Sequence, residues 1–458
     1  MPGFGIHNFM RMSKFSMRFS MRLLILSLLC GCAVSAFGQL GFSGNSRNAI
    51  TVTPDASSGL EAVYVLDGTD GVTASYSSAS ARWYRFSNMG GAYAEEISAT
   101  GSAGTSTVSL LSGDMGYIVE DGGRQHCFWV VDYSRHRLVL DALTISPESQ
   151  CDRTVLEPHG NGARITYYSI NGAPRQLSRD MSLTYRTLEF DDESFSYREK
   201  QAEEIVESFD QYVTCPAPLC NTAFTLSGDR FLREWGEEIS AESPIYNTPA
   251  VEARSKAEQR TEEFDNQQKP VSDGLGGSAP CEITFTASVS DAVVFREWQF
   301  SRTPEFEDVY ERYNSDEFTR TFDENGTTYI RFYCANDAGN CEFTGDVYTV
   351  DIGESRLECP NAFSPANQDG VNDLWKVSYM SIISFDCHIF NRWGKELAHL
   401  THPSQGWDGK TGGKFVPSGV YYYVIKARGA DGRNYDLSGD INIINSRTNT
   451  NPGSGEVE

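Results

Sequence analysis

The chain reads as all-β, built from several antiparallel β-sandwich modules in tandem. Three observations predict this. Short runs of aromatic and β-branched residues recur along the chain, and clusters of Gly, Asn, Asp and Ser separate them. Only one segment, Arg198 to Glu207, offers a long helix, and its charges decorate an exposed strand or a linker equally well. Hydrophobic residues make up 40% and aromatics 12%, enough for packed cores rather than a disordered chain. At 458 residues the length suggests about three to four modules.

The first 38 residues form a basic start, an apolar run Leu23-Leu24-Ile25-Leu26-Ser27-Leu28-Leu29, and a small-residue end at Ala36 and Gly38. These regions read as a secretory signal peptide cut after Gly38. A lipoprotein signal through Leu29-Cys30-Gly31-Cys32 is the alternative. No later run reaches the roughly 18 apolar residues a spanning helix needs, so no transmembrane segment is expected in the mature chain.

Residues 40–148 carry strands such as Val63-Tyr64-Val65-Leu66, Arg82-Trp83-Tyr84-Arg85-Phe86 and Cys127-Phe128-Trp129-Val130-Val131. Trp83 and Trp129 are assigned to a sandwich core rather than to ligand stacking. Residues 149–214 make a second β module and residues 215–266 a third. Cys220-Asn221-Thr222-Ala223-Phe224-Thr225 leading to Phe231–Trp235 echoes Cys281-Glu282-Ile283-Thr284-Phe285-Thr286 leading to Phe295–Phe300. That echo suggests two related modules. The Gly- and Pro-containing stretch 267–280 reads as a flexible linker. Residues 281–353 continue the strand pattern and resemble polycystic-kidney-disease-type and other immunoglobulin-like modules.

Residues 358–445 hold a set of separated motifs, followed by a polar tail, 446–458, expected to be disordered. Their order is Pro360-Asn361-Ala362-Phe363, Asn391-Arg392-Trp393-Gly394, Trp407-Asp408-Gly409 and Gly419-Val420-Tyr421-Tyr422-Tyr423. Tyr421 and Tyr423 alternate with Tyr422 and Val424, so one face of that strand should be buried. The series resembles the gliding-motility-associated C-terminal domain, the type B sorting domain of proteins exported by the type IX secretion system of Bacteroidetes-type bacteria. The resemblance implies a C-terminal β-sandwich read by the type IX translocon, with a small porin-like outer-membrane barrel as partner. It would place the mature protein across the outer membrane, at the cell surface. Pro360, Asn361, Phe363, Asn391, Arg392, Trp393, Gly394, Trp407, Asp408, Gly409, Gly419 and Tyr421 are the positions it marks for sorting or partner recognition. Arg392 and Trp393 stand out among them, because Arg and Trp dominate binding hot spots. For Trp407 the competing reading is a packed indole.

Asn367, Asp369, Asn372 and Asp373 gather hard oxygens around Gly370. Two readings stand: a calcium site, or a turn whose Asn and Asp side chains bond their own backbone. The run Pro365-Ala366-Asn367-Gln368-Asp369-Gly370 departs from the family's usual Pro-Asn-Gly-Asp-Gly by one extra residue and a Gln.

Charge excludes a function class. The first 38 residues contain Arg11, Lys14, Arg18 and Arg22 and no acid, so the remainder carries 34 basic against 62 acidic side chains, a formal −28. Nucleic acid would be repelled. Beyond the signal stand nine cysteines, read as disulfide partners of an exported protein, with Cys215 and Cys220 as a short local pair. Histidines 126, 136, 159, 388, 399 and 402 sit in no nucleophile or metal motif, and no cofactor other than calcium is indicated. The function expected is therefore a non-enzymatic surface protein, a structural accessory of the surface, secretion or gliding apparatus. A secreted adhesin binding glycan or host protein through its immunoglobulin-like modules is the alternative. A surface glycan hydrolase is a distant one, since two carboxylates from separate loops would suffice.

Overall fold

The computed structural model describes residues 40–109, 111–260, 263–268 and 274–444. The expected signal peptide and C-terminal tail lie outside the described residues. The described chain is all-β, with a single short α-helix, Arg230–Glu234, and a few 3-10 turns among them.

The N-terminal sandwich packs a four-stranded sheet on a six-stranded one. The larger sheet runs in the order Ile50–Val52, Ala62–Leu66, Arg124–Asp132, Met115–Asp121, Arg82–Phe86 and Glu95–Ile97. Its central strands are apolar without alternation, and the structure shows why. Ala62, Tyr64, Leu66, Phe128 and Val130 face the sandwich interior, while Val63, Val65, Trp129 and Val131 face the next unit. A sheet covered on both faces needs apolar residues at every position. Trp83 and Trp129 are buried as expected, on opposite faces of this sheet. Strand Ala62–Leu66 pairs with Arg124–Asp132 in parallel, a departure from a purely antiparallel sandwich.

The second unit corrects two expected boundaries. The first, after residue 148, would part strand Val139–Ile145 from Arg153–Asn161, with which it pairs. A division after residue 214 would cut strand Val213–Pro216, which pairs with Arg153–Asn161. Strands Thr225–Ser227 and Ser240–Glu242 complete the sheet begun by Met181–Asp191 and Ser196–Val206. Residues 215–243 thus finish the second unit, and one core runs from Ile50 to Ala241. The charged run Arg198–Glu207 is no helix: it forms most of strand Ser196–Val206, paired along its length with Met181–Asp191. Its charges meet partners across the ladder, Arg198 with Asp191 at 2.6 Å and Lys200 with Glu189 at 2.6 Å. Alternating charge on an exposed hairpin mimics a helical charge run in sequence.

A buried hub ties the second unit to the first. Arg179 donates to Asp229 Oδ2 at 2.7 Å, to the Ala163 carbonyl at 2.7 Å and to the His136 carbonyl at 2.6 Å. The Tyr133 hydroxyl donates to both Asp229 oxygens at 3.1 and 3.0 Å. Asp229 also caps the helix by accepting from the Leu232 amide at 3.0 Å. Burial, and then the Asp229 charge, push the Tyr133 hydroxyl above its ordinary pKa.

The third unit opens with strand Ala253–Arg260, paired to Cys281–Val289 and through it to Glu317–Phe322. A second sheet, centred on Gly326–Ala335 and Phe295–Ser301, closes over Trp298, Phe285, Phe300 and Phe332. Of the expected linker 267–280, residues 269–273 lie outside the described residues, and the described remainder is tied into the fold. Leu275–Gly277 is a parallel edge strand on Tyr348–Ile352. Ser278 Oγ accepts from the Ser381 amide at 2.8 Å, and the Gln268 amide donates to the Tyr379 carbonyl at 2.8 Å. Gly276, at φ +101°, lies against the Asp351 backbone of the same unit, where a Cβ would come within 2.3 Å of the carbonyl oxygen. The sequence echo is not a structural repeat either: Arg230–Glu234 is helical while Phe295–Ser301 is a strand.

Cys151 and Cys341 form a disulfide between the second and third units, 190 residues apart in sequence. Cys215 and Cys220, expected to pair, are both free and buried. Since a cross-link over a long loop restricts the unfolded chain most, a Cys151→Ser/Cys341→Ser variant is expected to lose about 2–4 kcal/mol in denaturant unfolding. An unchanged midpoint would show the bond to be energetically idle.

Candidate recognition surface of the C-terminal sandwich

The C-terminal unit is built on a five-stranded sheet ordered Ala362–Phe363, Asn434–Ile443, Gly419–Gly429, Ile382–Phe390 and Glu396–Leu400. Its strands alternate cleanly. Phe385, Cys387, Ile389, Tyr421, Ile425 and Ile441 point to a core closed by Trp375 and Trp407. Asp386, His388, Tyr422, Val424 and Lys426 lie on the opposite, open face, with Tyr422 44% and Val424 39% exposed. The alternation expected at Tyr421 and Tyr422 is therefore present.

Most of the sequence-marked residues serve this framework. The Pro360 carbonyl accepts from the Trp375 indole at 2.7 Å, and the Asn361 carbonyl from the Asn442 amide at 2.8 Å. Phe363 is buried with its ring 5.6 Å from Trp407. Trp407 is a packed indole, bridged to Trp375 through both backbone amides and donating to the Lys410 carbonyl at 3.1 Å. Asp408 accepts from the Lys410 amide at 3.0 Å. Gly409 has φ +69°, and a Cβ there would come within 2.6 Å of Pro365; only glycine suits that place. Gly419 starts its strand opposite Ile443. Tyr421 is buried and donates its hydroxyl to the Pro417 carbonyl at 2.8 Å.

Asn391-Arg392-Trp393-Gly394 is different. It is the tight turn between Ile382–Phe390 and Glu396–Leu400. Asn391 holds it by accepting from the Trp393 and Lys395 amides, each at 3.0 Å, and Gly394 completes it at φ +80°. The turn pushes Trp393 into solvent, 75% exposed, with the Arg392 guanidinium 4.1 Å above its ring. Trp393 is thus a large indole left in water with a cation over its ring, and no part of the core.

In the 367–373 loop the side chains bond the loop itself. Asp369 accepts from the Val371 amide and from Asn367 Nδ2, each at 2.9 Å, and Asp373 from the Gly370 amide at 2.9 Å. Asn372 has φ +55° and its carbonyl accepts from the Ser364 amide at 2.9 Å. These bonds are those of a side-chain-stabilised turn, and Asp373 Oδ1 is buried without a hydrogen-bond partner among the described residues.

Sequence reasoning missed one cluster. Asp386 and His388 stand two residues apart on one strand, and His399 pairs in register with His388 on the next. Asp386 Oδ1 lies 2.5 Å from His399 Nε2, and its Oδ2 3.4 Å from His388 Nε2. The usable signal was an Asp-x-His in an alternating strand with a His across the following hairpin.

Family models match two stretches of the chain. Residues 357–443 match the CHU_C type IX secretion signal domain, and residues 144–243 match a fibronectin type III domain. The latter range covers all but the start of the second unit, whose strands run from Val139 to Glu242. No curated protein matches the chain. Among solved structures, a tetra-tandem repeat from the extending region of a large adhesion protein aligns over 83% of this chain and 97% of its own, at 11% identity and TM-score 0.21. Dimeric latent PorU from Porphyromonas gingivalis aligns over 70% of this chain and 35% of its own, at 11% identity and TM-score 0.15. At those TM-scores neither likeness bears on function.

Proposed function

We propose that this chain, carrying at residues 357–443 a type IX secretion signal domain that implies export across the outer membrane to the cell surface, is a non-enzymatic component of a surface assembly. Its partner would be a small porin-like outer-membrane barrel, gripped through Arg392 and Trp393. The observation that carries the reading is the exposed, cation-covered Trp393 on a turn whose other residues are spent on holding it out. Hot spots of this composition commonly supply much of an interface's energy.

An Arg392→Ala/Trp393→Ala variant tests it. Folding stability should move by no more than about 0.5 kcal/mol, as for exposed sites. Binding to the barrel, measured on co-purified complex, should weaken by about 2 kcal/mol, roughly thirtyfold. Crosslinked pull-down from the native outer membrane should return the barrel in stoichiometric amount with the parent chain. Recovery of the parent chain alone would sink the reading. The adhesin alternative has its own observation: Val294 and Phe295, both more than half exposed, line a shallow groove with Arg296, Glu297 and Tyr333 on the third unit. Selective glycan binding that Phe295→Ser abolishes would favour it.

A further inference from the structure

We propose that Asp386, His388 and His399 form a binding site for a divalent transition metal of the zinc class on the open face of the C-terminal sheet. The ligand atoms of the three side chains lie within 4.8 Å of one another. The two imidazoles stack with centroids 4.2 Å apart and planes 8° from parallel, both turning Nε2 toward Asp386. Two imidazole nitrogens and a carboxylate oxygen are the donor set of open zinc sites, and a bound ion would sit about 2.0–2.2 Å from each. Closing onto an ion requires small side-chain rotations only, because strand pairing already fixes the three Cα positions. The side chains are 50%, 32% and 43% exposed, so the ion has a path in and keeps a position for water.

Two surroundings favour the metal. Glu396 Oε2 stands 3.3 Å from His388 Nδ1, within ion-pair reach though off hydrogen-bond geometry. A carboxylate there steadies the tautomer that leaves Nε2 free to ligate, the usual outer support of a metal-bound histidine. The chain's formal charge of −24 draws cations to its surface. Lys426, in register with Asp386 on the neighbouring strand, makes no ion pair with it among the described residues. A bound metal would take the place where His399 Nε2 and Asp386 Oδ1 now meet. Imidazole donors with one carboxylate select zinc, copper or nickel over calcium or magnesium.

The test uses the purified chain without a histidine tag, titrated with Zn²⁺ by calorimetry and with Co²⁺ by visible absorption. One equivalent of metal should bind, with the d–d bands of a low-coordinate Co²⁺ site. His399→Ala and Asp386→Asn should each weaken binding more than tenfold, and Glu396→Gln by about tenfold. His388→Ala/His399→Ala should abolish the cobalt spectrum while its thermal midpoint stays within a few degrees of the parent. If that double variant unfolds, His399→Gln, which keeps the strand pairing, reads out the same loss. Binding that is equal in parent and variants, or absent in the parent, overturns the site and leaves only a hydrogen-bonded pair. Neither result touches the sorting role, which is read separately by surface display.

Discussion

A chain ending at residue 356 is expected to reach the periplasm and stay there, with surface display falling nearly to background. The removed residues contain the whole type IX secretion signal domain and its separate core around Trp375, Trp407 and Ile425. Mislocalisation could instead reflect a damaged third unit, because the two units share contacts. Asp431 accepts from Ser355, Asn325 donates to the Ala430 carbonyl, and Lys376 meets Asp265 at 2.8 Å. A reciprocal fusion separates the cases: an inert exported carrier joined to residues 253–458, which retain both units, should appear on the surface. Surface labelling of intact cells reads both outcomes. Efficient display of the truncated chain would refute the sorting role.

Asp229→Ala is expected to destabilise the first two units by about 3–5 kcal/mol, the usual consequence of stranding one partner of a buried ion pair. Arg179 and Asp229 have side chains only 1% and 0% exposed, so the remaining charge has no water to turn to. Arg179→Ala should cost a similar amount. Replacing buried pairs by apolar residues is often neutral, but Arg179→Met/Asp229→Leu should remain unstable. It leaves the Ala163 and His136 carbonyls and the Leu232 amide without their partners. Urea unfolding followed by tryptophan fluorescence measures this. A loss below about 1 kcal/mol for Asp229→Ala would show that the hub is not what joins the units.

These two sites mark what could and could not be read from residues alone. The C-terminal unit was legible because its signals are local: Tyr421 and Tyr422 alternate by strand period, and Asn391 to Gly394 spell a turn. The fold class was legible for the same reason. Boundaries were not, because cysteines and glycines look like punctuation whether or not the sheet continues. Cys215 lies mid-strand, and Leu275–Gly277 is itself a strand. Arg179 and Asp229 are 50 residues apart and flanked by ordinary loop sequence, so nothing local announces their meeting. The unalternating Ala62–Leu66 run did carry information: in a largely antiparallel sheet it signals a second covered face. His388 and His399 needed the hairpin register before their proximity could be seen.

The Cys151–Cys341 bond makes residues 151 to 341 a covalent ring holding most of the second and third units. On a cell surface, exported proteins meet proteases, and exposed loops are where those enzymes cut. A single cut anywhere within the ring opens it without parting the chain: the signal-bearing end stays covalently attached to the N-terminal sandwich. Release of the N-terminal part then takes a cut outside the ring, or a cut within it together with a reductant; further cuts inside the ring free only the peptide between them. The protein can thus be nicked at the surface and still remain in one piece.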